Sequence, residues 1–583
     1  MTDKLRLWPL LCVAALGAVV CGSRAGAADK EAPVESHDEA YQRNIAIFNA
    51  LTRELEESYV DSIRVDDAFK AAIRGMLATV DPYTEYYSYD DKEQLSRLTT
   101  GAYGGIGSMI TGRDGNTYIL EPLIGSPAMK AGLKPGDRIV RVDSIDVAGL
   151  SVDKTSSHLK GQPGTEVAVT VCRPYVQSDS ILTFNIIREK VAEPSVPWYG
   201  VVKGNIGYVR LSQFVESSAS DVLKALEEFK TDPNVKYIVL DLRSNGGGLV
   251  EQAVRILSYF LPKGTEVLRT RGKEASDEKI YKTQQNPVMP DIPMAVLIDG
   301  ASASAAEITA GALQDLDRAV LIGTRSFGKG LVQGTRMLPY NSMLKVTQAK
   351  YYIPSGRLIQ ALDYSHRNPD GSVARVPDSL TNVYHTLSGR EVRDGGGLTP
   401  DSIIDPGQLS PLVYSLLAGN HIFDYANRYA ATHPAPADVE TFSLTDADFS
   451  DFTEGINPKK VQYDKLCNNI LSDLRSAAEA EGYLSPEVKA AIDSLDKTLD
   501  HDLKSDLYTK RPTLEEYITE EIAARYEPGS GRVRRELTSD KALDKAEEIF
   551  TTPGLYKSIL TGRKSADAAA PASSPSKSGE TSR

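Results

Sequence analysis

The most constraining feature of the sequence is the long stretch 198–404, in which short apolar strands alternate with helical segments. This alternation is typical of an α/β domain whose helices pack on a sheet. Three of the predicted strands end in loops rich in glycine or serine. The sequence therefore predicts an α/β core whose candidate chemistry lies at three junctions between a strand and a loop.

The first junction is a glycine turn after the strand 237–243. Its residues, Ser244-Asn245-Gly246-Gly247-Gly248, precede a helical segment over 249–260. Glycine lets backbone N–H groups approach a ligand closely, and the start of the following helix adds a partial positive charge. The turn suits a phosphate or an oxyanion equally well, and a plain structural turn is the alternative.

The second junction places Ser304 at the start of a helix that follows the strand 294–298. In one interpretation Ser304 is an N-cap, because a serine followed three residues later by Glu307 has the capping-box pattern. In the other interpretation Ser304 is a nucleophile, and the free N–H of Ala305 points to where negative charge develops. The residues of this segment alone do not decide between the two.

The third junction, 323–330, nearly matches the phosphate-binding pattern G-x-x-x-x-G-K-[ST]. Gly330 stands where a magnesium-binding hydroxyl is required, and the next residues, 331–335, have the pattern of a strand rather than a helix. No nucleotide site is therefore predicted. A lysine between glycines, Lys329, can instead bring its amine to a serine on a neighbouring loop.

A general base at Lys329 requires an uncharged amine near neutral pH. Its pKa must fall by roughly three units from about 10.4, which corresponds to about 4 kcal/mol of destabilisation of the charged form. Burial among apolar side chains can supply this shift, and Phe327, Leu331 and Val332 flank a lysine whose loop holds no Asp or Glu. Gln333 could orient the amine without recharging it. A serine and lysine pair is a recognised form of nucleophilic catalysis.

Taken together, these segments resemble the carboxyl-terminal processing peptidases, also called tail-specific proteases. The resemblance extends over residues 45–401 and rests on the order and spacing of short motifs. The motifs are 207–211 with Phe214, 240–249, 300–315, 327–330 with Gln333, 352–357 and 397–401. The resemblance implies an α/β fold with a crotonase-like spiral (ββα) protease core and an inserted PDZ-like β domain, with helical N- and C-terminal regions.

The same resemblance implies a role for individual residues. Its S-A-S-A-x-E motif implies that Ser304 is the nucleophile, with Lys329 as general base and Gln333 as a third, orienting member. The oxyanion donors that it implies are backbone N–H groups, those of Ala305 and of Gly248 or Gly247. The implied activity is that of a serine endopeptidase without a metal or other cofactor.

Residues 101–190 have a different pattern and are predicted to form a PDZ domain. Short strands alternate with turns, and a small helix is expected at 126–131. The run Tyr103-Gly104-Gly105-Ile106-Gly107 resembles the loop that holds a terminal carboxylate while the bound peptide adds a strand to the sheet edge. A structural glycine turn is the alternative. The implied partners are protein or peptide substrates bound through their C-terminal carboxylate.

The remaining segments complete the predicted organisation. They are a signal peptide at 1–27, an N-terminal helical region at 28–100 with helices across 37–98, the protease core at 191–408, a C-terminal helical extension at 409–566 and a disordered tail at 567–583. Basic residues precede the apolar run 7–20, which is shorter than the roughly 20 residues that a membrane-spanning helix needs. We therefore expect export to the periplasm, with lipid anchoring at Cys21 as the alternative.

Composition and charge argue against several other classes. The net charge of −13 and the lack of a dense basic run argue against a nucleic-acid partner. The seven histidines are scattered without ligand spacing, so no metal site is expected. Cys172 and Cys467 are expected to be unpaired and buried, with a disulfide as the alternative. The helical regions are candidates for contacts in a homo-oligomer.

Two other functions fit parts of this pattern. One is a catalytically inactive PDZ scaffold of the same fold, which would be expected to lack the serine and lysine pair. Ser304 and Lys329 are both present in this sequence, together with an intact glycine turn. The other is a crotonase-like enzyme acting on acyl thioesters. That enzyme would need an acidic pair and an adenine pocket in a cytoplasmic protein, whereas this chain carries an export pattern.

Overall fold

The computed structural model describes residues 36–91, 100–174 and 180–562. The chain divides into two compact units, residues 1–76 and residues 77–583. The predicted signal peptide, Cys21 and the predicted tail lie outside the described residues. Within the described residues, no helix combines the length and the apolar character that crossing a membrane requires.

The first unit contains helix α1 (His37–Ser58) and most of helix α2 (Val65–Ala78). Ser36 caps α1 and forms a capping box with Glu39. Phe48 of α1 and Phe69 of α2 meet edge to face with ring centroids 5.6 Å apart. Neither helix contains a fully buried residue, so the pair buries little apolar surface of its own.

The prediction of helix across 37–98 is wrong for the segment after α2. Residues 85–87 form the strand β1 (Glu85–Tyr87), and 92–99 lie outside the described residues. The physical reason lies in the residue types, since tyrosine favours strands and Asp81 precedes a proline that cannot continue a helix.

Residues 102–192 form a small β domain within the second unit. Its elements are β2 (Ala102–Gly105), β3 (Ser108–Arg113), β4 (Asn116–Pro122), α3 (Pro127–Ala131), β5 (Arg138–Val142), β6 (Ile145–Asp146), α4 (Val152–Leu159), β7 (Glu166–Arg173), β8 (Ser180–Ile187) and β9 (Glu189–Ala192). The main sheet has the order β3-β4-β5-β7-β8, so β3 is an edge strand, and β2 pairs with β9. The predicted small helix is confirmed as α3, whose first turn is capped by Ser126.

The core that follows contains two larger sheets. Its elements are β10 (Trp198–Val202), β11 (Ile206–Arg210), α5 (Ser218–Thr231), β12 (Tyr237–Asp241), α6 (Val250–Leu257), β13 (Glu266–Arg271), β14 (Lys279–Lys282), β15 (Met294–Ile298), α7 (Ala305–Asp315), β16 (Val320–Gly323), β17 (Leu331–Met337), β18 (Met343–Tyr352), β19 (Leu362–Arg367), β20 (Val373–Arg375), β21 (Val383–His385), β22 (Glu391–Arg393) and β23 (Ser402–Ile403). The central sheet has the order β10-β11-β12-β15-β16-β23 and is parallel from β11 onward. The second sheet joins β1 to β18, which also pairs with β13 and β17.

Helices make up the rest of the described chain. They are α8 (Pro411–Ala418), α9 (His421–Thr432), α10 (Asp446–Glu454), α11 (Leu466–Ala480), α12 (Pro486–Leu499), α13 (Leu503–Thr509), α14 (Arg511–Tyr526), α15 (Gly531–Glu536), α16 (Lys541–Thr551) and α17 (Leu555–Thr561). Leu514, Ile518 and Ile522 of α14 are fully buried in a cluster with apolar residues of α8, α9 and α10. The helices that contribute to this cluster therefore have a hydrophobic core separate from that of the sheets.

The last three helices, α15 to α17, cover one face of the central sheet. Leu543 and Ile549 of α16 are buried against strand residues such as Val239 and Leu297, whereas α5, α6 and α7 pack on the opposite face. A parallel sheet needs cover on both faces. Residues 531–561, predicted as part of a C-terminal extension, thus share a hydrophobic core with the central sheet.

Both cysteines of the described chain are free. Cys172 is buried in β7, as expected, but Cys467 lies on the exposed surface of α11. The expectation of burial is therefore wrong for Cys467, because its helix packs on few neighbours and leaves this face in solvent.

Candidate active site

The three predicted junctions meet at one edge of the central sheet. β12, β15 and β16 are neighbouring parallel strands, so the loops that follow their carboxyl ends lie side by side. Backbone hydrogen bonds join the loops directly: Ala303 N–H donates to the carbonyl of Asn245 at 2.9 Å, and Phe327 N–H donates to the carbonyl of Ser302 at 3.1 Å. The glycine turn, the Ser304 loop and the Lys329 loop thus form one site.

Ser304 has a backbone conformation that is rare for a residue with a side chain. Its φ of 54° and ψ of −114° lie outside the regions that L-residues usually occupy, at the position where the chain turns from β15 into α7. Strained backbone of this kind is concentrated at functional sites, and a strained turn between a strand and a helix is a known setting for a nucleophilic serine. This geometry is a direct argument for the second interpretation of Ser304.

The hydroxyl of Ser304 remains available for chemistry. Ser304 and Glu307 have the arrangement of a capping box, and the Ser304 N–H donates to Glu307 Oε2 at 2.9 Å. The Ser304 side chain, however, makes no capping hydrogen bond. The N-cap interpretation therefore explains the hydrogen bond of the Ser304 backbone N–H, but it gives the Ser304 hydroxyl no role.

Two backbone N–H groups next to Ser304 are also available. Among the described residues no acceptor takes the N–H of Ala305 or that of Gly248. The N–H of Gly247, by contrast, donates to Asn245 Oδ1 at 2.8 Å. Of the two glycines considered from the sequence, Gly248 is therefore the one whose N–H is free to bind an oxyanion together with Ala305.

Gly247 instead allows the glycine turn and the Ser304 loop to approach each other closely. Its φ is +97°, and a Cβ atom there would lie 2.7 Å from the carbonyl oxygen of Ala303 and 2.8 Å from the nitrogen of Ala305. Only glycine permits this backbone conformation and this close approach. Gly247 thus fixes the glycine turn against the Ser304 loop.

Glu307 connects the Ser304 loop to the Lys329 loop. Its side chain is fully buried and accepts four hydrogen bonds. Oε1 accepts from Ser326 Oγ at 2.5 Å and Gly328 N–H at 2.7 Å, while Oε2 accepts from the N–H groups of Ser304 and Lys329, each at 2.9 Å. Burial raises the pKa of Glu307 to about 7, against the four donors, which favour the ionised form.

Lys329 is held near Ser304 by its backbone, but its amine points elsewhere. Because the two backbone nitrogens are 2.9 Å from the same oxygen of Glu307, they lie no more than twice that distance apart. The amine lies over the ring of Tyr83, 4.2 Å from the centroid. In the part of the chain that the structure describes, this amine makes no hydrogen bond to Ser304 or Gln333.

The surroundings of Lys329 lower the pKa of its amine. Burial, and to a smaller degree the nearby charge of Lys345, lower its pKa from 10.5 to about 8. The carboxylates of Asp81, Glu307 and Glu85 act in the opposite direction. The lysine's own loop has no acidic residue, but carboxylates from elsewhere in the chain thus limit how far the pKa of Lys329 falls.

Gln333 lies on β17 and donates from Nε2 to Thr347 Oγ1 of β18 at 3.1 Å. Gln333 thus lies on the strand that directly follows the lysine loop, and among the described residues it makes no hydrogen bond to the amine. Its role as the orienting member remains a prediction.

Sequence reasoning missed the contribution of the segment before the PDZ-like domain. Tyr83 contacts Lys329, and Asp81 accepts the N–H groups of Tyr83 and Thr84 at 2.8 and 2.7 Å. Glu85 of β1 pairs with Lys345 of β18 at 2.7 Å. The only sequence signal was the turn-forming Asp81 before proline, because no local pattern shows that this segment pairs with a strand far along the chain.

The PDZ-like domain has a groove between its edge strand β3 and helix α4. The cavity there has a volume of about 320 Å³ and includes Ile110, Leu120 and Leu159 in its lining. Of the predicted carboxylate loop, Tyr103 and Ile106 line this cavity. Gly104 and Gly105 instead belong to β2 and pair with β9, and Gly107 accepts the N–H of Leu123 through its carbonyl.

The described residues contain no group of acidic, histidine or cysteine side chains that could hold a metal ion.

The predicted strand after the lysine loop is confirmed as β17, which follows Gly330 directly. The phosphate-binding pattern therefore lacks the helix that its function requires.

Three families of known proteins match successive parts of the chain. Residues 205–373 match Peptidase family S41, residues 118–173 match the PDZ domain, and residues 412–550 match the family described as "Probable PDZ-protease, C-terminal helical domain". The predicted fold, an α/β protease core with a PDZ domain and helical terminal regions, is thereby confirmed.

Individual relatives extend this match. The chain is 35% identical over 355 residues to a carboxy-terminal-processing protease of Bartonella bacilliformis, covering 60% of this chain and 80% of that protein. It is 32% identical over 321 residues to a probable CtpA-like serine protease of Staphylococcus aureus, covering 54% of this chain and 63% of that protein. Among solved structures, a photosystem II D1 C-terminal processing protease is 29% identical with a TM-score of 0.34, covering 61% of this chain and 86% of that one. The chain therefore belongs to the carboxy-terminal-processing proteases of peptidase family S41 and is a serine-type peptidase.

Proposed function

We propose that the protein is a serine endopeptidase in which Ser304 is the nucleophile and Lys329 the general base, and that it selects substrates by their C-terminal tails. The observation that carries the proposal is the shared acceptor Glu307 Oε2, which holds the backbone N–H groups of both residues at 2.9 Å. This arrangement keeps the start of each side chain within reach of the other.

The first chemical step needs a short movement of the lysine. Rotation about its own side-chain bonds carries the amine from the Tyr83 ring to Ser304 Oγ, while the backbone stays fixed on Glu307. The neutral amine then takes the hydroxyl proton as Ser304 Oγ attacks the carbonyl carbon of the substrate. The resulting ammonium returns the proton to the leaving amine, and water completes the cycle by hydrolysing the acyl-enzyme.

Negative charge that develops on the carbonyl oxygen needs donors already in position. The N–H groups of Ala305 and Gly248 have no protein acceptor among the described residues, and Ala305 stands at the first position of α7. The start of a helix favours a negative charge. These two groups are the oxyanion donors of the proposal.

Substrate selection is assigned to the PDZ domain. β3 is an edge strand, so an extended peptide can pair with it, and the apolar lining of the neighbouring groove fits apolar side chains near the peptide's end. In this proposal the segment 103–107, of which Tyr103 and Ile106 line the groove, holds the terminal carboxylate. The names of the relatives, which describe processing at the carboxyl terminus, support the same substrate class.

The proposal places this activity outside the cytoplasm. The pattern of residues 1–27 supports export by a cleaved signal peptide, with a periplasmic enzyme as the product, and Cys21 offers the alternative of a lipid anchor. Cell fractionation with an antibody to the mature chain, together with the mass of its amino terminus, distinguishes these outcomes.

Three substitutions test the dyad. Ser304→Ala, Lys329→Ala and Lys329→Arg should each abolish cleavage of an unfolded protein with an apolar C-terminus. Arginine keeps the charge and the length but does not lose its proton, so it cannot act as a base. Lys350→Ala, on an exposed position of β18, is the matched control and should retain full activity.

Circular dichroism and thermal unfolding of each variant confirm that the fold is intact. Cleavage by Lys329→Arg at the rate of the unsubstituted enzyme would contradict the dyad. Absence of cleavage by the unsubstituted enzyme across a panel of unfolded substrates would instead favour the inactive scaffold.

A further inference from the structure

The glycine turn of the active site is tied to the C-terminal helices by a chain of buried charges. Asp241, at the end of β12, is fully buried and accepts the Tyr208 hydroxyl at 2.5 Å and Arg243 Nη2 at 2.6 Å. The same Nη2 donates to Asp540 Oδ2 at 2.5 Å. Asp540 follows Arg243 by 297 positions in the chain, and its side chain is 4% exposed.

Asp540 uses its two oxygens for two different purposes. Oδ1 accepts the N–H groups of Ala542 and Leu543 and so caps helix α16, while Oδ2 binds Arg243. The start of α16 is therefore fixed to Arg243 by one side chain. Removal of one partner from a buried charge group of this kind leaves the others uncompensated.

Arg243 stands directly before the turn 244–248, and hydrogen bonds continue from it into the active site. Its own N–H donates to Asp241 Oδ1 at 2.9 Å, and the N–H of Ser244 donates to Asp299 at 3.0 Å. The carbonyl of Asn245 then accepts the N–H of Ala303. Arg243 and the two residues after it thus anchor the start of the turn that carries the Gly248 N–H.

We propose that Asp540 is a positioning residue for the oxyanion turn, so that the C-terminal helices are a working part of the protease core. The inference rests on the proposed role of the Gly248 N–H. An aspartate of the C-terminal helices binds the guanidinium of Arg243, and Arg243 directly precedes the first residue of the turn.

The same helix offers a matched control. Asp544, one turn further along α16, pairs with Lys203 at 2.7 Å and so also joins the helix to the central sheet. Lys203 lies in the turn between β10 and β11, at the edge of the sheet opposite to the active site. Loss of this ion pair weakens the attachment of the helix without reaching the glycine turn.

The test compares Asp540→Asn with Asp544→Asn. Asparagine caps a helix about as well as aspartate, so Asp540→Asn removes the charge and keeps the cap. The substrate is a quenched fluorescent peptide that ends in apolar residues. In Asp540→Asn, kcat should fall about tenfold while KM stays within about twofold. Removal of an oxyanion donor costs about 100-fold or more in kcat, and displacement of a donor costs less. Asp544→Asn should stay within about twofold in both constants.

A second variant supports the test if Asp540→Asn does not fold. Arg243→Lys keeps the charge but loses the planar fork that binds two carboxylates, and it should lower kcat in the same way. The double variant should lose little more than either single variant, because both act on one contact.

Unchanged kcat in Asp540→Asn, or equal losses in Asp540→Asn and Asp544→Asn, would overturn the proposal. Failure of the proposed function has a different signature, namely cleavage that persists in Ser304→Ala. The two results are independent, since the Asp540 effect is measured relative to the unsubstituted enzyme.

Discussion

Glu307→Gln tests the idea that one buried carboxylate organises the active site. The substitution keeps the size of the side chain but replaces one oxygen by an NH₂ group, which cannot accept a hydrogen bond. Whichever oxygen is replaced, two of the four donors around Glu307 lose their acceptor. Because each buried donor without a partner costs about 1–3 kcal/mol, we expect the free energy of unfolding to fall by about 2–6 kcal/mol.

A catalytic loss should accompany the loss of stability, even in the fraction of the variant that remains folded. Separation of the Ser304 loop from the Lys329 loop by even about 1 Å can cost a factor of about 100 in rate. Urea unfolding followed by tryptophan fluorescence gives the midpoint, and a peptide-cleavage assay on the folded fraction gives kcat. Glu251→Gln, on the exposed surface of α6, is the matched control and should leave both unchanged.

A Glu307→Gln variant with the urea midpoint and the kcat of the unsubstituted enzyme would refute this reasoning. It would mean that the two loops are fixed by other contacts and that the carboxylate is dispensable. A stable variant without activity would still support a role for Glu307 in aligning the loops.

Two further predictions concern the glycine turn and the PDZ groove. Gly247→Ala should lower kcat at least about 100-fold, because its Cβ would collide with Ala303 and Ala305 at a φ of +97°. Gly246→Ala should stay near full activity, because no atom lies within 4 Å of the added Cβ. Equal activity of the two variants would contradict the close approach of the loops. Amidation of the substrate's terminal carboxylate should raise KM at least about tenfold through loss of a charged hydrogen-bonding group; an unchanged KM would remove the carboxylate from the recognition model.

Much of the core could be predicted from local sequence patterns. The three junctions have the strands and loops that were expected, because buried strands followed by glycine turns leave a strong local signal. Ser304 and Lys329 were candidates by residue type, and the family resemblance implied their roles; the structure places them on neighbouring loops. The capping-box spacing also identified Glu307, but only as the partner of Ser304.

The remaining features of the site depend on contacts between distant parts of the chain. Tyr83 approaches Lys329 because β1 pairs with β18, and Asp540 approaches Arg243 because α16 packs on the central sheet. Neither pairing leaves a periodic signal in the sequence. The expectation of helix over 85–87 was wrong because of the residue types there, and the strand that these residues pair with is located more than 250 residues away.

The central claim, that the amine of Lys329 activates Ser304, is tested most directly by the rate of acyl-enzyme formation as a function of pH. Rapid-quench mass spectrometry measures how fast the acyl group appears on the peptide that contains Ser304. Since the pKa of Lys329 is lowered to about 8, the neutral amine becomes scarce below that pH, and the rate should fall about tenfold per unit there and level off above it. An acyl group on another residue would contradict the account. So would a rate that stays constant, within measurement error, from about pH 6 to about pH 9.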